Sequence, residues 1–211
     1  MTEVELKARV SDRAALEKQL DGFARRGQHV IRDDAYWGKH ADDRNKIRIR
    51  RETFLAPDGS VCRTDILVTY KRKARIRDAD GVEAEANDEK ESLVSDAEAL
   101  EAFLSDTGYS VQLKKHKDVE DWLAEVPAPP AFTAATDAGK DRLTATLELC
   151  AVEKLGDFLE IEILSPTDKA AVLSALHGEL EKLLERAGIP KDKIENRYYS
   201  EMLRELEARQ A

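Results

Sequence analysis

Phe158-Leu159-Glu160-Ile161-Glu162-Ile163 alternates carboxylates with aliphatic side chains. A strand sends successive residues to opposite faces, so Leu159, Ile161 and Ile163 share one side and Glu160 and Glu162 the other. The pattern recurs along the chain. Glu3, Glu5 and Lys7 oppose Val4, Leu6 and Ala8, and Lys46, Arg48 and Arg50 oppose Ile47 and Ile49. Thr144, Thr146, Glu148 and Cys150 oppose Leu143, Ala145, Leu147 and Leu149. Any one such strand suits an ordinary half-exposed sheet, polar out and apolar in. The set adds a second feature, because Glu3/Glu5 and Glu160/Glu162 each place like charges two apart on one face, where they repel. Such repeated pairs ask for a counter-cation, either a metal ion or lysine and arginine opposite. If the strands close into a barrel, apolar faces pack beneath helices and charged faces line a lumen. Acids and bases in one lumen suit a metal–polyphosphate ligand. Carboxylate oxygens hold Mg2+ or Mn2+, and arginine and lysine hold phosphate oxygens.

Outward from these strands, Ser11 or Asp12 can cap a helix to about Arg26 with Leu16, Leu20 and Phe23 on one face, stopped by Gly27. His29 to Trp37 reads as a strand. Asp42, Asp43 and Asn45 form a turn, and Ala56-Pro57-Asp58-Gly59 has the chemistry of a hairpin turn between strands 46–54 and 61–73. A turn at Asp78 to Gly81 leads to a weakly strand-like acidic stretch, Val82 to Val94. A short helix capped by Ser95 or Asp96 follows, to about Ser105. One or two strands lie between Val111 and Val126, and residues 127–141, with three prolines, read as a loop excursion. Strands at Leu143 to Val152 and Phe158 to Leu164 turn at Gly156. A helix from Thr167 or Asp168 to near Gly188 and a helical piece over about 192–209 complete the chain. About eight strands and four helices without regular crossovers predict an α+β fold with antiparallel pairing in a single domain spanning 1–211.

Hydrophobic residues make up 42% of the 211 residues and charged residues 36%, with a net charge of −9. That balance disfavours nonspecific nucleic-acid binding, although Lys46 to Arg51 and Lys71 to Arg77 are locally basic. Cys62 and Cys150 form no CxxC pair, which fits a reducing compartment. The opening Thr-Glu-Val-Glu is unlike a secretory leader, and no apolar run is long enough to span a bilayer. The expectation is a soluble cytoplasmic protein, monomer or homodimer, with no nucleic-acid or membrane partner. His29, His40, His116 and His177 lack zinc-ligand spacing. Trp37 and Trp122 read as packing residues.

Glu3-Val4-Glu5-Leu6-Lys7 resembles the ExExK signature that opens the CYTH family, named for class IV adenylyl cyclases and thiamine triphosphatases. Ile47-Arg48-Ile49-Arg50 is similar to the family's basic strand, Thr69-Tyr70-Lys71 to its Thr-x-Lys strand, and Glu89-Lys90-Glu91 to its E-x-E strand. Residues 155–162 resemble its LGxFxEIE segment. Arg197 to Leu203 resembles its terminal motif, with Tyr199, Glu201 and Leu203 aligned. The matches run in order across nearly the whole chain.

The resemblance implies an eight-stranded antiparallel barrel, the triphosphate tunnel, with helices outside. It implies a catalytic set of Glu3, Glu5, Lys7, Glu160 and Glu162. Glu3, Glu5, Glu89, Glu91, Glu160 and Glu162 become candidate ligands of Mg2+ or Mn2+. Lys7, Arg48, Arg50, Lys71, Lys115 and Lys117 become candidate phosphate binders. Asn87 stands where the family often has arginine, Lys115-His116-Lys117 where it often has Lys-x-Arg, and Cys150 where it usually has aspartate. Glu148, on the same strand face, is the carboxylate that can take that place. The implied activity is a class IV adenylyl cyclase converting ATP to cyclic AMP and pyrophosphate. A thiamine, inorganic or nucleoside triphosphatase is the alternative on the same residues. A binding module that holds a triphosphate without turnover is the alternative from another class.

Overall fold

The structure is a computed structural model that describes residues 2–40, 46–77, 83–135 and 141–210, with side chains except at 46, 71–77, 83–89 and 210. The turns read at 42–45 and 78–81 lie outside these residues. In chain order the elements are β1 (Thr2–Arg9), α1 (Arg13–Asp21), β2 (Arg25–Gly38), β3 (Lys46–Leu55), β4 (Val61–Arg77), β5 (Glu83–Val94), α2 (Glu98–Asp106), β6 (Ser110–Pro127), α3 (Pro130–Ala135), β7 (Arg142–Val152), β8 (Gly156–Ser165), α4 (Ala170–Arg186), a 3-10 turn (Lys191–Lys193) and α5 (Tyr199–Gln210). The eight strands form one antiparallel sheet in the order β1-β8-β7-β6-β2-β3-β4-β5. The expected α+β class and strand count are therefore met. Hydrogen bonding does not close the ladder among the described residues, and β1 and β5 are its ends.

Two compact units make up the chain, Met1–His29 with Asp118–Ala211, and Val30–Lys117. In the first, Val4, Leu6 and Ala8 of β1, Ala145, Leu147 and Leu149 of β7, and Leu159, Ile161 and Ile163 of β8 are buried in one cluster. Val172, Leu176, Leu180, Leu183 and Leu184 of α4 join them, as do Leu16 and Leu20 of α1 and Phe132 of α3. Each fully buried aliphatic side chain contributes about 1.5–3 kcal/mol, so α4 alone adds on the order of 10 kcal/mol against its ordering entropy. In the second unit Trp37, Ile49, Ala97 and Leu104 form the core, which brings α2 onto β2 and β3.

Local chemistry explains the boundaries. Asp12 caps α1, its Oδ1 accepting from the Ala15 amide at 3.0 Å. Gly59, at φ 81°, closes the β3–β4 hairpin by donating its amide to the Ala56 carbonyl at 2.9 Å. Gly156, at φ 91°, opens β8 in a conformation that disfavours a Cβ. Some expectations need correction. Helix α1 ends at Asp21, short of Arg26, and β2 starts at Arg25 rather than His29. The 110–127 region, read as one or two strands, is one unbroken strand, as the first of those readings has it. The 127–141 stretch contains α3, which begins on Pro130, a residue suited to a first helical turn. The last helical piece is broken, because Ile194 leaves the helical path and bridges to Ala8.

Candidate functional site: an acid face and a basic face

Strand register in the first unit sets the acids side by side. Glu5 pairs directly with Glu162 and Lys7 with Glu160 on β1 and β8. Glu160 in turn pairs with Glu148, and Glu162 with Thr146, on β7. Glu3 lies at the outer end of this face, opposite Leu164. The neighbouring residues Leu6, Ile161 and Leu147 point the other way into the core, so these carboxylates share the face away from α4. Like charges directly opposite on neighbouring strands destabilise a sheet. Lys7 offsets part of that charge.

The residues 194–210 reach the same face. The Lys7 ammonium donates to the Arg197 carbonyl at 2.6 Å and stands 4.4 Å from the centre of the Tyr199 ring. The Glu195 amide donates to the Lys7 carbonyl at 2.8 Å. Tyr199 packs edge-on against Phe158, at 5.0 Å between ring centres, in a small cluster with Cys150 and Met202. Burial first, then the adjacent Glu160 and Cys150, pushes the Tyr199 phenol well above its ordinary range, so it stays protonated.

Glu148, Cys150 and Glu160 bring one ligand atom each within 4.8 Å of one another. The Cys150 sulfur is fully buried and lies 3.6 Å from both the Glu148 carbonyl and a Glu160 carboxylate oxygen, as a thiol donating weakly would. Sulfur is a poor ligand for Mg2+. The oxygens of Glu148 and Glu160, with Glu5 and Glu162 in the same rows, are the donors that fit a hard divalent cation. Glu148 lies in the same row as Glu160.

The second unit carries the cations. Arg48, Thr69 and Glu91 form one row across β3, β4 and β5. The Arg48 guanidinium donates to Thr69 Oγ1 at 3.0 Å and to Glu91 at 3.3 Å, and Thr69 donates to Glu91 at 2.7 Å. The Arg48 Nε–H is buried and makes no hydrogen bond among the described residues. In the next row the backbones of Lys46, Lys71 and Glu89 are in register. The side chains of Lys71 and Glu89 lie outside the described set. Glu91, grouped with the acids by sequence, has Arg48 and Thr69 as its neighbours here.

Arg50 and Lys115 meet at a residue that sequence reasoning did not single out. Asp34 has a fully buried carboxylate. It accepts from Arg50 Nε at 2.6 Å and from an Arg50 terminal nitrogen at 3.0 Å. The Lys115 ammonium lies 2.9 Å away, and Tyr36 donates at 3.3 Å. Burial alone would raise the Asp34 pKa. The Arg50 hydrogen bond and the Lys115 charge outweigh it and hold the carboxyl far below the usual range. Glu52 pairs with Arg32 at 2.9 Å and stands 3.7 Å from Arg50. Lys117, two residues beyond Lys115, is buried as well. The signal for Asp34 was its parity, since Arg32, Asp34 and Tyr36 share one face of β2.

No helix among the described residues is long and apolar enough to cross a membrane. No protein-family model matches the chain, and no curated protein does. Solved structures do. The PH1819 protein of Pyrococcus horikoshii OT3 is 24% identical with a TM-score of 0.65, over 97% of this chain and 99% of that one. The PH1012 protein of the same organism is 21% identical with a TM-score of 0.60, over 95% and 98%. A structure from Vibrio parahaemolyticus, named a "putative adenylate cyclase", is 18% identical with a TM-score of 0.66, over 95% and 97%. These likenesses run nearly end to end on both sides, and at such identities what they establish is a shared fold.

Proposed function

We propose that this chain is a metal-dependent, CYTH-type enzyme that processes a triphosphate. The observation that carries this reading is the register of the first unit, in which Glu5 stands opposite Glu162 and Glu148 opposite Glu160. An acid ladder of that kind is costly without a cation. Arg48, Arg50, Lys115 and Lys117 are of the kinds that hold phosphate oxygens, as the acids are of the kind that holds Mg2+ or Mn2+. A bound divalent ion would lower the pKa of a coordinated hydroxyl and neutralise charge on a leaving phosphate. The residues themselves bind and orient, with the guanidiniums holding phosphate oxygens and the acid ladder holding the cation.

The favoured reaction is cyclisation of ATP, in which the ribose 3′ hydroxyl gives up its proton to solvent, its oxygen bonds to the α-phosphorus, and the bond to pyrophosphate breaks. The name of the Vibrio structure supports this choice. Water attack on the γ-phosphorus of thiamine triphosphate, tripolyphosphate or a nucleotide is the second reading, on the same residues. Incubation with each substrate and Mg2+ or Mn2+, followed by chromatography of products, tests both. Cyclic AMP is expected from ATP. Phosphate release without cyclic AMP would leave the hydrolase, and binding with no product from any substrate would overturn the enzymatic reading.

A further inference from the structure

We propose that Asp34 is a positioning residue for the polyphosphate, holding Arg50 and Lys115 side by side so that both reach one phosphoryl group. This inference rests on the triphosphate reading above. Its ground is the way Asp34 grips the two cations. Both Asp34 oxygens are spent on Arg50, one on Nε and the other on a terminal nitrogen. A guanidinium held along that side turns its terminal N–H groups towards a further acceptor, with the Glu52 carboxylate 3.7 Å from the other terminal nitrogen. The second Asp34 oxygen also holds Lys115. Two nitrogens within hydrogen-bond reach of one oxygen are no more than about 6 Å apart, a spacing that two oxygens of one phosphoryl group can satisfy together.

Burial points the same way. The side chains of Asp34, Lys115 and Arg50 are 0%, 9% and 17% exposed, so little solvent stands ready to replace a lost partner. Tyr36 adds a hydrogen bond to the same Asp34 oxygen and fixes the carboxylate from a third direction.

Two roles for Asp34 predict opposite signs. If Asp34 merely offset positive charge, Asp34→Asn would strengthen polyphosphate binding. If it positions the cations, the variant would weaken it. Calorimetric titration of the full chain with tripolyphosphate, with and without Mn2+, is the test. Asp34→Asn is expected to lose at least tenfold in affinity, and Asp34→Asn/Arg50→Ala to bind no more weakly than Arg50→Ala alone. The losses from Asp34→Asn and Arg48→Ala should simply multiply, a selectivity that general loss of structure would not produce. Unchanged or tighter binding by folded Asp34→Asn overturns the inference and leaves the triphosphate reading standing. Failure of the unaltered chain to bind tripolyphosphate or ATP overturns both. A measurement without substitution covers the case of an unfolded variant, using arginine side-chain 15N spectra. On adding tripolyphosphate the terminal nitrogens of Arg50 should shift while its Nε–H stays in place, and an Nε–H that moves as far would show that the guanidinium leaves Asp34, sinking the idea.

Discussion

Replacing Glu162 by Gln should stabilise the first unit when no divalent cation is present and blunt its response when one is added. Glu5 and Glu162 are direct partners on adjacent antiparallel strands. Their Cβ atoms are then about 5 Å apart, and carboxylates that splay away from each other sit about 5–8 Å apart. Two unit charges at that separation repel by about 0.5–3.3 kcal/mol for an effective dielectric between 80 and 20. Glu5 is exposed, and Lys7 lies one row away, so about 1 kcal/mol is expected. In a chain of this size that raises Tm by about 2–4 °C. A divalent cation at a hundred times its Kd stabilises the unaltered protein by about 2.7 kcal/mol, several degrees more than the variant should gain. Thermal unfolding in chelator, then with increasing Mn2+, reads both effects. A variant less stable in chelator, or one that gains as much from Mn2+ as the unaltered chain, would refute the view that this acid ladder awaits a cation.

Other expectations follow from single contacts. The Glu195 carboxyl is held down to about 2, chiefly by its hydrogen bond from Arg197 and also by Arg9. Its contribution is complete above about 4.5 and lost as pH falls towards 2, so hydrogen exchange in 199–210 should quicken over that window, and Glu195→Gln should flatten the effect. Leu176→Ala empties a fully buried position of α4 and should cost about 2–5 kcal/mol in denaturant unfolding. Thr69→Val removes the hydroxyl between Arg48 and Glu91, which should cost about 1–2 kcal/mol and weaken tripolyphosphate binding several-fold by calorimetry.

The faces of the strands were legible because side-chain direction has a period of two. Val4, Leu6 and Ala8 are in the core, and Glu3, Glu5 and Lys7 are on the other side, as their alternation implied. Register was not legible, since whether Glu162 meets Glu5 or Glu3 depends on long-range pairing. The prolines of 127–141 read as breakers, yet one of them begins α3, a role proline fills where its missing N–H has no use. Asp34 escaped because a lone acid in a mixed strand looks like surface, and its meaning comes from Arg50 and Lys115, which are distant in sequence. Cys150 stands where the resembled family usually has aspartate, and its burial beside Glu160 fits a thiol more than a ligand. Lys71 and Glu89 belong to aligned backbones, their side chains being outside the described residues.

The pairing of β1 with β8 has a consequence for biosynthesis. Thr2 is the ladder partner of Ser165, and Arg9 that of Phe158. At about 5–20 residues per second a ribosome needs roughly seven to thirty seconds to deliver the later strand after the earlier one has emerged. Throughout that interval the first strand, with Glu3 and Glu5 balanced by Lys7 and Arg9, has an open edge and no mate, which leaves the nascent polypeptide dependent on chaperones to stay out of aggregates.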